Sequence, residues 1–179
     1  MNRYLLAVAS LAALLLVSSA RAEAQEFFAK FSGFNELGAL NSETGAILSD
    51  GQGTLKLDLD SVAQTLTYTL TYSGLSANVT QAHIHFGKIH VAGGVIVFLC
   101  ANLPNPSPAG TPTCPLTSGT VTRTIHAADV VGPTAQNIPV GNFDGLEDAL
   151  TSNTAYGNIH TTAFPKGEIR GEIRPAEGD

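Results

Sequence analysis

The sequence predicts an all-β fold, a sandwich or closed barrel of about eight short strands, and three observations support this fold class. In most apolar segments, apolar and polar residues alternate, which is typical of half-buried antiparallel strands. Turn-forming pairs such as Ser73-Gly74 separate many of these segments. Only one segment has the three- and four-residue spacing of a helix. Short strands joined by long loops favour a sandwich or a barrel over a helical fold.

The clearest two strands form a predicted hairpin. In Thr54–Asp60 leucine alternates with charged residues, and in Thr65–Tyr72 leucine and tyrosine alternate with threonine. Threonine and tyrosine are enriched in strands because their side chains pack well on a pleated surface. The pair Asp60-Ser61 marks the turn between the two segments. We therefore expect the two strands to pair antiparallel, with their leucines on one face.

Six further strands and one helix complete the predicted elements. The helix begins after Asn142, a residue type that caps helix N-termini, and Phe143, Leu146 and Leu150 recur on one face up to Thr151. No internal repeat and no long linker divides the chain. The further strands are predicted at Glu26–Phe31, Val79–Phe86, Gly94–Leu99, Gly119–His126, Thr154–Thr161 and Glu168–Ile173.

The N-terminus has the pattern of a secretory signal peptide. Arg3 precedes the apolar segment Leu5–Val17, and small residues before Ala22 match a signal peptidase site. We expect cleavage after Ala22, with cleavage after Ala24 as the alternative, so that residues 1–22 are removed. No later segment is long and apolar enough to span a bilayer. The predicted location is therefore secreted or periplasmic.

The mature chain, residues 23–179, has the size of one domain, with its core at about 27–175. Without Arg3 and Arg21, which lie in the predicted signal, seven basic residues remain against fifteen acidic ones. This balance disfavours nucleic acids and anionic membranes as partners, because both attract a basic protein face. The partner is then an extracytoplasmic protein or ligand, which the sequence does not identify.

Two cysteines, Cys100 and Cys114, enclose a segment rich in proline, asparagine and glycine. In an exported protein this pattern predicts a disulfide that closes the segment into a loop. A disulfide around a loop of about 15 residues stabilises the fold by about 3 kcal/mol in the chain-entropy model. The alternative, two thiolate ligands for a metal ion, has weaker support because the spacing matches no zinc pattern.

Three histidines are candidates for a metal site. His83 and His85 share one face of a predicted strand, about 6.6 Å apart along it. In a later strand Ile159 is expected to face the core, so His160 points to the other side. If the two strands are neighbours, the three imidazoles can bind one zinc or copper ion and leave a fourth position open. The alternative is that these histidines lie on the solvated side of the sheet or form hydrogen bonds to loops.

The last predicted strand carries a row of charges. Glu168, Arg170, Glu172 and Arg174 alternate with apolar residues and glycine, so their side chains are expected to share one face. We expect a solvated face with ion pairs that contribute about 0–1 kcal/mol each. The alternative is that Glu168 or Arg170 orients a histidine or recognises a carboxylate.

Four further polar residues complete the list of candidates. Glu36 lies in a predicted loop, and Asn158 lies on the same face of its strand as His160. Both are candidates for the site around the histidines. His90 and His126 are weaker ligand candidates, because each lies near a predicted strand end and is more typical of a loop.

Five segments in order carry a family resemblance: FSGFNE at 31–36, LTYTLTYSGL at 66–75, AHIHFG at 82–87, AYGNIHT at 155–161 and PKGEIRGEI at 165–173. From about Phe27 to Pro175 the chain resembles the CHRD domain family, first described in chordin. Two departures stand out. Leu37 follows Glu36 where the family often has two prolines, and Gly157 replaces a usual aliphatic residue, which we expect to weaken that strand slightly.

The resemblance implies an immunoglobulin-like β-sandwich or barrel, akin to the Greek-key sandwich of Cu,Zn superoxide dismutase. It implies no chemical activity, and the growth-factor binding of chordin is not carried over, because a shared fold does not transfer a binding surface. The AHIH segment is similar to the His-x-His strand of the Cu,Zn enzymes. However, no bridging histidine or zinc aspartate has a suitable spacing in this sequence.

We therefore expect an exported β-sandwich that acts as a binding or structural module outside the cytoplasm, in preference to an enzyme. No cofactor is certain. The alternative is a copper or zinc protein that uses the AHIH and NIHT histidines, with redox activity as one option. A third hypothesis is a purely structural protein of the envelope or matrix. Elemental analysis of the natively purified protein separates the metal hypothesis from the other two.

Overall fold

The structure, a computed structural model, describes residues 24–37, 39–40 and 43–176. The predicted signal peptide, residues 1–22, lies outside the described residues, so its cleavage stays a prediction. Within the described ranges the chain forms eleven strands and one α-helix, which confirms the all-β prediction. The same ranges contain no helix with the length and apolar character needed to cross a membrane.

Each of the eight predicted strands is present, with ends that differ by at most two residues from the prediction. Three more strands are only two residues long. The strands are β1 (Gln25–Ser32), β2 (Ala39–Leu40), β3 (Glu43–Thr44), β4 (Gln52–Asp60), β5 (Thr65–Ser73), β6 (Val79–Phe86), β7 (Gly94–Ala101), β8 (Gly119–Ile125), β9 (Ala155–Thr161), β10 (Ile169–Glu172) and β11 (Arg174–Pro175), and the helix is α1 (Phe143–Thr151).

Nine strands form a single antiparallel sheet. Its order is β7-β6-β9-β10-β1-β4-β5-β8, and β11 pairs with β1 on the side where β10 also pairs. The strands β2 and β3 pair only with each other. The sheet curls into a nearly closed barrel or sandwich, so that its two end strands, β7 and β8, approach each other. The predicted fold class is therefore confirmed.

The predicted hairpin is formed by β4 and β5, and its apolar face supplies much of the core. Leu55 lies opposite Leu70, and Leu57 lies opposite Tyr68. All four side chains are buried, which stabilises the fold by about 1.5–3 kcal/mol for each leucine. The hydroxyl of Tyr68 donates a hydrogen bond to the backbone carbonyl of Leu99 on β7. This bond joins strands near opposite ends of the sheet and fixes how it curls.

A disulfide also connects the two ends of the sheet. Cys100 lies on β7, and Cys114 lies in the loop that leads to β8. Their Cα atoms are 5.1 Å apart, which is a usual distance for a bridged pair. The side chain of Asn102 donates to the carbonyls of Val79 and Cys114 and so orders the loop from within. The predicted disulfide is confirmed, and the alternative of two thiolate metal ligands is wrong.

Gly157, the departure from the family pattern on β9, has a packing reason. It lies opposite Gly171 on β10, and the ring of Phe31 covers both glycines. A Cβ atom at Gly157 would lie 2.5 Å from Phe31 Cζ, and one at Gly171 would lie 2.4 Å from Phe31 Cδ1. Because Phe31 is fully buried, its ring has no room to withdraw. We expected Gly157 to weaken the strand, but the packing of the Phe31 ring requires a glycine at this position.

The helix α1 begins and ends as predicted. The side-chain oxygen of Asn142 accepts a hydrogen bond of 2.9 Å from the backbone N–H of Gly145, which is the usual N-terminal cap. Phe143, Leu146 and Leu150 are buried and belong to the same core as the sheet. Helical spacing and a capping residue were therefore sufficient to locate this element.

Candidate metal centre

The two strands that carry the candidate histidines are neighbours. β6 pairs antiparallel with β9, with Ala82 opposite Ile159 and Ile84 opposite Gly157. These residues face the core, so the residues between them share the other face. That face carries the histidines of both strands. The metal hypothesis depended on this neighbourhood, which the sequence alone did not provide.

The rings of His83, His85 and His160 converge. The ring centroid of His83 lies 5.4 Å from that of His85 and 5.1 Å from that of His160. One nitrogen from each ring lies within 4.8 Å of the other two. His83 Nδ1 and His160 Nε2 are 3.3 Å apart. Two nitrogens bound to one tetrahedral zinc ion at about 2.0–2.1 Å have about the same separation.

Backbone carbonyls fix the tautomer of two of these histidines. His85 Nδ1 lies 2.9 Å from the carbonyl oxygen of Gly93, and His160 Nδ1 lies 3.1 Å from that of Pro165. A carbonyl only accepts, so both Nδ1 atoms carry the hydrogen and both Nε2 atoms carry a lone pair. Metal-ligating histidines are commonly held in this way, with the second ring nitrogen bonded to a carbonyl.

His83 lies deepest in the cluster. Because His160 Nε2 carries a lone pair, His83 Nδ1 donates its hydrogen to that atom across 3.3 Å. His83 Nε2 is then the remaining acceptor, and it is buried with no hydrogen-bond partner among the described residues. The ring also meets Phe98 edge to face, at 4.4 Å between centroids. Binding of an ion between His83 and His160 therefore requires the His83 hydrogen to leave Nδ1.

Burial keeps all three imidazoles neutral at neutral pH. It lowers the pKa of His83 to about 2 and that of His85 to about 4. It also lowers the pKa of His160. Repulsion between the rings, and from Arg170 in the case of His85, adds to this effect. Neutral imidazole is the form that binds metal ions, so the charge state of the cluster suits an ion once the His83 hydrogen has left Nδ1.

The face that carries the histidines is buried. His83 is 4% exposed and His85 is 8% exposed, because loops that include Gly93 and Pro165 lie over the sheet. The prediction of a solvated sheet face was therefore wrong. The other part of that alternative, hydrogen bonds from the histidines to loops, is confirmed for His85 at the Gly93 carbonyl and for His160 at the Pro165 carbonyl.

Arg170 was predicted on a solvated strand face, but it is buried. Its guanidinium carbon lies 3.4 Å from the ring centroid of Tyr156, and its Nη2 donates to the carbonyls of Lys88 and Val91. The same nitrogen pairs with Glu172 at 3.2 Å. The loop after β6 therefore covers this part of the strand. Arg170 lines the same cleft as His85 and His160, and the alternative role, orienting a histidine or recognising a carboxylate, stays a prediction.

Glu168 is also buried, but it serves a different part of the fold. Its carboxylate accepts hydrogen bonds from Ser49 Oγ at 2.6 Å, from the Ser76 backbone N–H at 2.8 Å and from Thr161 Oγ1 at 2.7 Å. Burial alone would raise the pKa of Glu168, but these hydrogen bonds outweigh it and lower the pKa. The prediction of a solvated side chain was wrong, and no histidine contacts this carboxylate among the described residues.

Glu36 and Asn158 lie beside the histidine cluster. Asn158 Oδ1 is 3.0 Å from His85 Nε2, and because both atoms are acceptors, this contact is a hydrogen bond only when the amide is turned so that Nδ2 faces the ring. Glu36 Oε1 accepts from the Leu37 backbone N–H at 2.9 Å, whereas Oε2 is buried without a partner among the described residues. Burial raises the pKa of Glu36, although the Leu37 hydrogen bond, the charge of Arg170 and the side chain of Asn158 oppose the increase.

A cleft of about 310 Å³ gives access to this site. His83 is not part of its lining. The sequence analysis did not select Lys166. This residue lies in the Pro-Lys-Gly turn that follows the NIHT strand, and that position could have indicated that it lies near the histidines. The sequence analysis also missed Gly93, which acts through its backbone. The cleft is lined by Glu36, Leu37, His85, Ala92, Gly93, Tyr156, Asn158, His160, Lys166 and Arg170.

The two weaker histidine candidates lie outside the cluster. His90 is an exposed loop residue with a φ of 60°. His126 is exposed as well, and its backbone N–H donates to the carboxylate of Asp129 at 2.9 Å at the start of a short 3₁₀ helix. The structure thus brings together six of the predicted site residues and leaves Glu168 apart from them.

The comparison with known families supports the resemblance that the motifs indicated. A family model described as the CHRD domain matches residues 27–173, which is most of the chain. No curated protein and no solved structure matches it.

Proposed function

The chain belongs to the CHRD family, and on that premise we propose that it is an exported binding module whose histidine cleft holds one zinc or copper ion. Membership of this family favours a binding or structural role and implies no reaction. The observation that carries the metal proposal is the convergence of His83, His85 and His160, with one nitrogen of each within 4.8 Å of the others.

The chemistry of the donors favours zinc or copper over harder ions. Three neutral imidazoles supply nitrogen ligands, which suit zinc and copper, whereas calcium and magnesium prefer oxygen ligands. Three protein ligands also leave one position of a tetrahedral ion open. Hydrogen bonds from His85 to Gly93 and from His160 to Pro165 hold two of the rings in the tautomer that such an ion needs.

The disulfide supports export. Disulfides such as Cys100–Cys114 persist mainly in oxidising compartments outside the cytoplasm. N-terminal sequencing of the protein from cell fractions tests this part of the proposal. We expect a chain that begins at Glu23, or at Gln25 for the alternative cleavage, in the periplasm or the medium. Full-length protein confined to the cytoplasm would contradict export.

Elemental analysis of protein purified without an affinity tag tests the metal. We expect close to one zinc or copper ion for each chain. After removal of the ion by a chelator, a titration by calorimetry should give one site. At a free ion concentration about 100 times the Kd, binding stabilises the fold by about 2.7 kcal/mol. For a chain of this size the melting temperature should then rise by about 5–10 °C.

Substitutions of single ligands give the sharper test. His83→Gln, His85→Gln and His160→Gln should each weaken binding of the ion by at least about tenfold. His90→Asn is the matched control, because His90 is exposed outside the cleft and asparagine tolerates its positive φ. Equal melting temperatures with and without the ion, together with no ion in the purified protein, would refute the site.

A further inference from the structure

The charged residues around the cleft point to the class of molecule that completes the centre. We propose that the open position of the ion takes a small monovalent anion, such as a short carboxylate or a halide, and that Lys166 attracts it. This inference rests on the metal site proposed above and adds a ligand to it. It is carried by the position of the cleft, by the cations along the cleft and by the shortage of negative charge around the ion.

The cleft borders two of the three proposed metal ligands. His85 and His160 belong to its lining, and His83 does not. An ion held by the three rings therefore lies next to the cleft, so a small molecule in the cleft can take its open position. The volume of about 310 Å³ is at the lower end for ligand sites, which are about 300–1,000 Å³. This size suits an anion of a few heavy atoms.

The turn that orients His160 also places Lys166 at the cleft. The carbonyl of Pro165 accepts the hydrogen of His160 Nδ1 at 3.1 Å, and Lys166 is the next residue along the chain. The Gly167 N–H donates to the Phe164 carbonyl at 3.1 Å, which closes the turn. Lys166 is exposed and lines the cleft. Its ammonium group can therefore meet an anion that arrives from solvent.

A second cation, Arg170, lies beside the other histidine of the cleft. Its guanidinium packs on the ring of Tyr156, and the same ring stacks with His85. Burial is the main cause of the low pKa of His85, and the positive charge of Arg170 adds to it. Burial likewise lowers the pKa of His160, and the charge of Lys166 adds to that effect. Each cation is therefore close enough to act on a histidine of the cleft.

Negative charge is in short supply around the ion. Three neutral imidazoles do not compensate a divalent ion, and buried charge without a counter-ion is costly. Glu172 pairs with Arg170 at 3.2 Å, which leaves Glu36 as the acidic residue of the described cleft lining. One carboxylate does not balance a divalent ion and Lys166 together. An anion on the open position reduces this excess, so it is favoured there over a neutral ligand.

Azide and imidazole are suitable probes, because at pH 8 azide carries one negative charge and imidazole carries none. The full mature protein is loaded with copper, and each probe is titrated at low ionic strength. A new charge-transfer absorption reports azide on the copper, and a shift of the visible copper absorption reports imidazole. Equilibrium dialysis verifies that the copper stays on the protein. Azide binds copper in general, so the informative quantity is the change of each Kd between variants.

Lys166→Met is the decisive variant. We expect it to weaken azide binding by about threefold to fivefold, the effect of one exposed charge pair, and to leave imidazole binding unchanged. Lys166→Arg should restore the azide affinity. Lys56→Met removes an exposed lysine that lines a different groove and should change neither probe. In about 1 M sodium perchlorate, where the screening length is about 3 Å, the difference between wild type and Lys166→Met should shrink.

Formate and chloride distinguish the two sources of such an anion. Both should displace azide from the copper-loaded protein, and both should bind more weakly to Lys166→Met. The tighter of the two assigns the site to carboxylates or to halides.

The outcomes separate this inference from the metal proposal. If copper binds equally to the wild type and to Lys166→Met, but azide also binds equally to both, the anion inference is wrong and the metal site stands. The same holds if azide and imidazole weaken by the same factor. If azide gives no charge-transfer absorption, a side chain such as Asn158 fills the fourth position and the inference is wrong. If copper does not bind to the protein at all, both proposals fail.

Discussion

The imidazole of His85 lies parallel to the phenol ring of Tyr156, with 4.8 Å between ring centroids and 3° between planes. The same Tyr156 ring contacts the guanidinium of Arg170 at 3.4 Å. The Tyr156 hydroxyl accepts a hydrogen bond of 3.0 Å from the Gly93 N–H, and the Gly93 carbonyl holds His85 Nδ1. Tyr156 therefore positions His85 both through its ring and through Gly93.

Removing the Tyr156 ring should loosen His85 and weaken metal binding. We expect Tyr156→Leu to lower zinc affinity by about tenfold, which is typical for loss of a group that supports a metal ligand. Tyr156→Phe is the matched comparison, because it keeps the stacked ring and removes only the hydroxyl that binds the Gly93 N–H, so its loss should be smaller. It should stay within about threefold of the wild type. Competition with a chromophoric chelator measures both, and equal affinity in Tyr156→Leu would exclude the positioning role.

The metal-free protein should lose stability as the pH falls below about 6.5. The pKa values of His83 and His85, about 2 and about 4 in the folded chain, rise to about 6.5 on unfolding. Between these values the unfolded chain binds protons that the folded chain does not. As the pH falls through this range, the free energy of unfolding therefore decreases by up to about 1.4 kcal/mol per pH unit for each histidine. Above about pH 6.5 these two histidines cause no loss of stability.

Urea unfolding at pH 7.5, 6.5 and 5.5 measures this slope. His85→Gln should give a shallower decrease than the wild type, and His90→Asn should retain the full decrease. The raised pKa of Glu36 acts in the opposite direction, because the folded chain takes up that proton first. Its contribution is common to the three proteins and cancels in the comparison. Identical slopes for all three would contradict the burial of neutral histidines.

Loss of the disulfide should destabilise the fold. The double substitution Cys100→Ala and Cys114→Ala removes the cross-link between β7 and the segment before β8. A loop of about 15 residues predicts a loss of about 3 kcal/mol in the free energy of unfolding. Chemical denaturation measures it, with dithiothreitol-treated wild type as a second sample. A loss below about 1 kcal/mol in both would show that the closed loop contributes little.

Gly157 and Phe31 should be energetically coupled. Gly157→Val places a side chain where the Phe31 ring lies, so we expect a loss of about 1–3 kcal/mol or more from overpacking. In a Phe31→Ala background the space is vacant, and the same substitution should cost less than about 1 kcal/mol. A double-mutant cycle by urea unfolding measures the coupling. Additive effects would mean that the ring does not occupy the space above the glycine.

The parts of the fold that the sequence predicted well are those that local alternation determines. Period-two alternation located β4 and β5 and assigned the faces of His83, His85 and His160 correctly, because side chains alternate strictly along a strand. The pairing of β6 with β9 joins segments more than seventy residues apart. No local pattern encodes that pairing, so the convergence of the histidines remained a hypothesis until the sheet order was known.

The errors arose where a loop covers a strand or where a strand begins. Arg170 alternates correctly along β10, but alternation does not show that the loop after β6 lies over it. Glu168 precedes the first residue of β10 and follows Gly167, whose φ is 130°. The turn at this glycine redirects the chain, so the face of Glu168 could not be inferred from that of Arg170.

The disulfide has a consequence for where a working centre can form. β7, which carries Cys100, is the immediate neighbour of β6, the strand of His83 and His85. In a reducing environment β7 would lose its covalent link to the segment before β8. The strand next to the imidazoles would then be held less firmly. We therefore expect a rigid triad only in chains that have reached a thiol-oxidising compartment, so that ion capture follows export.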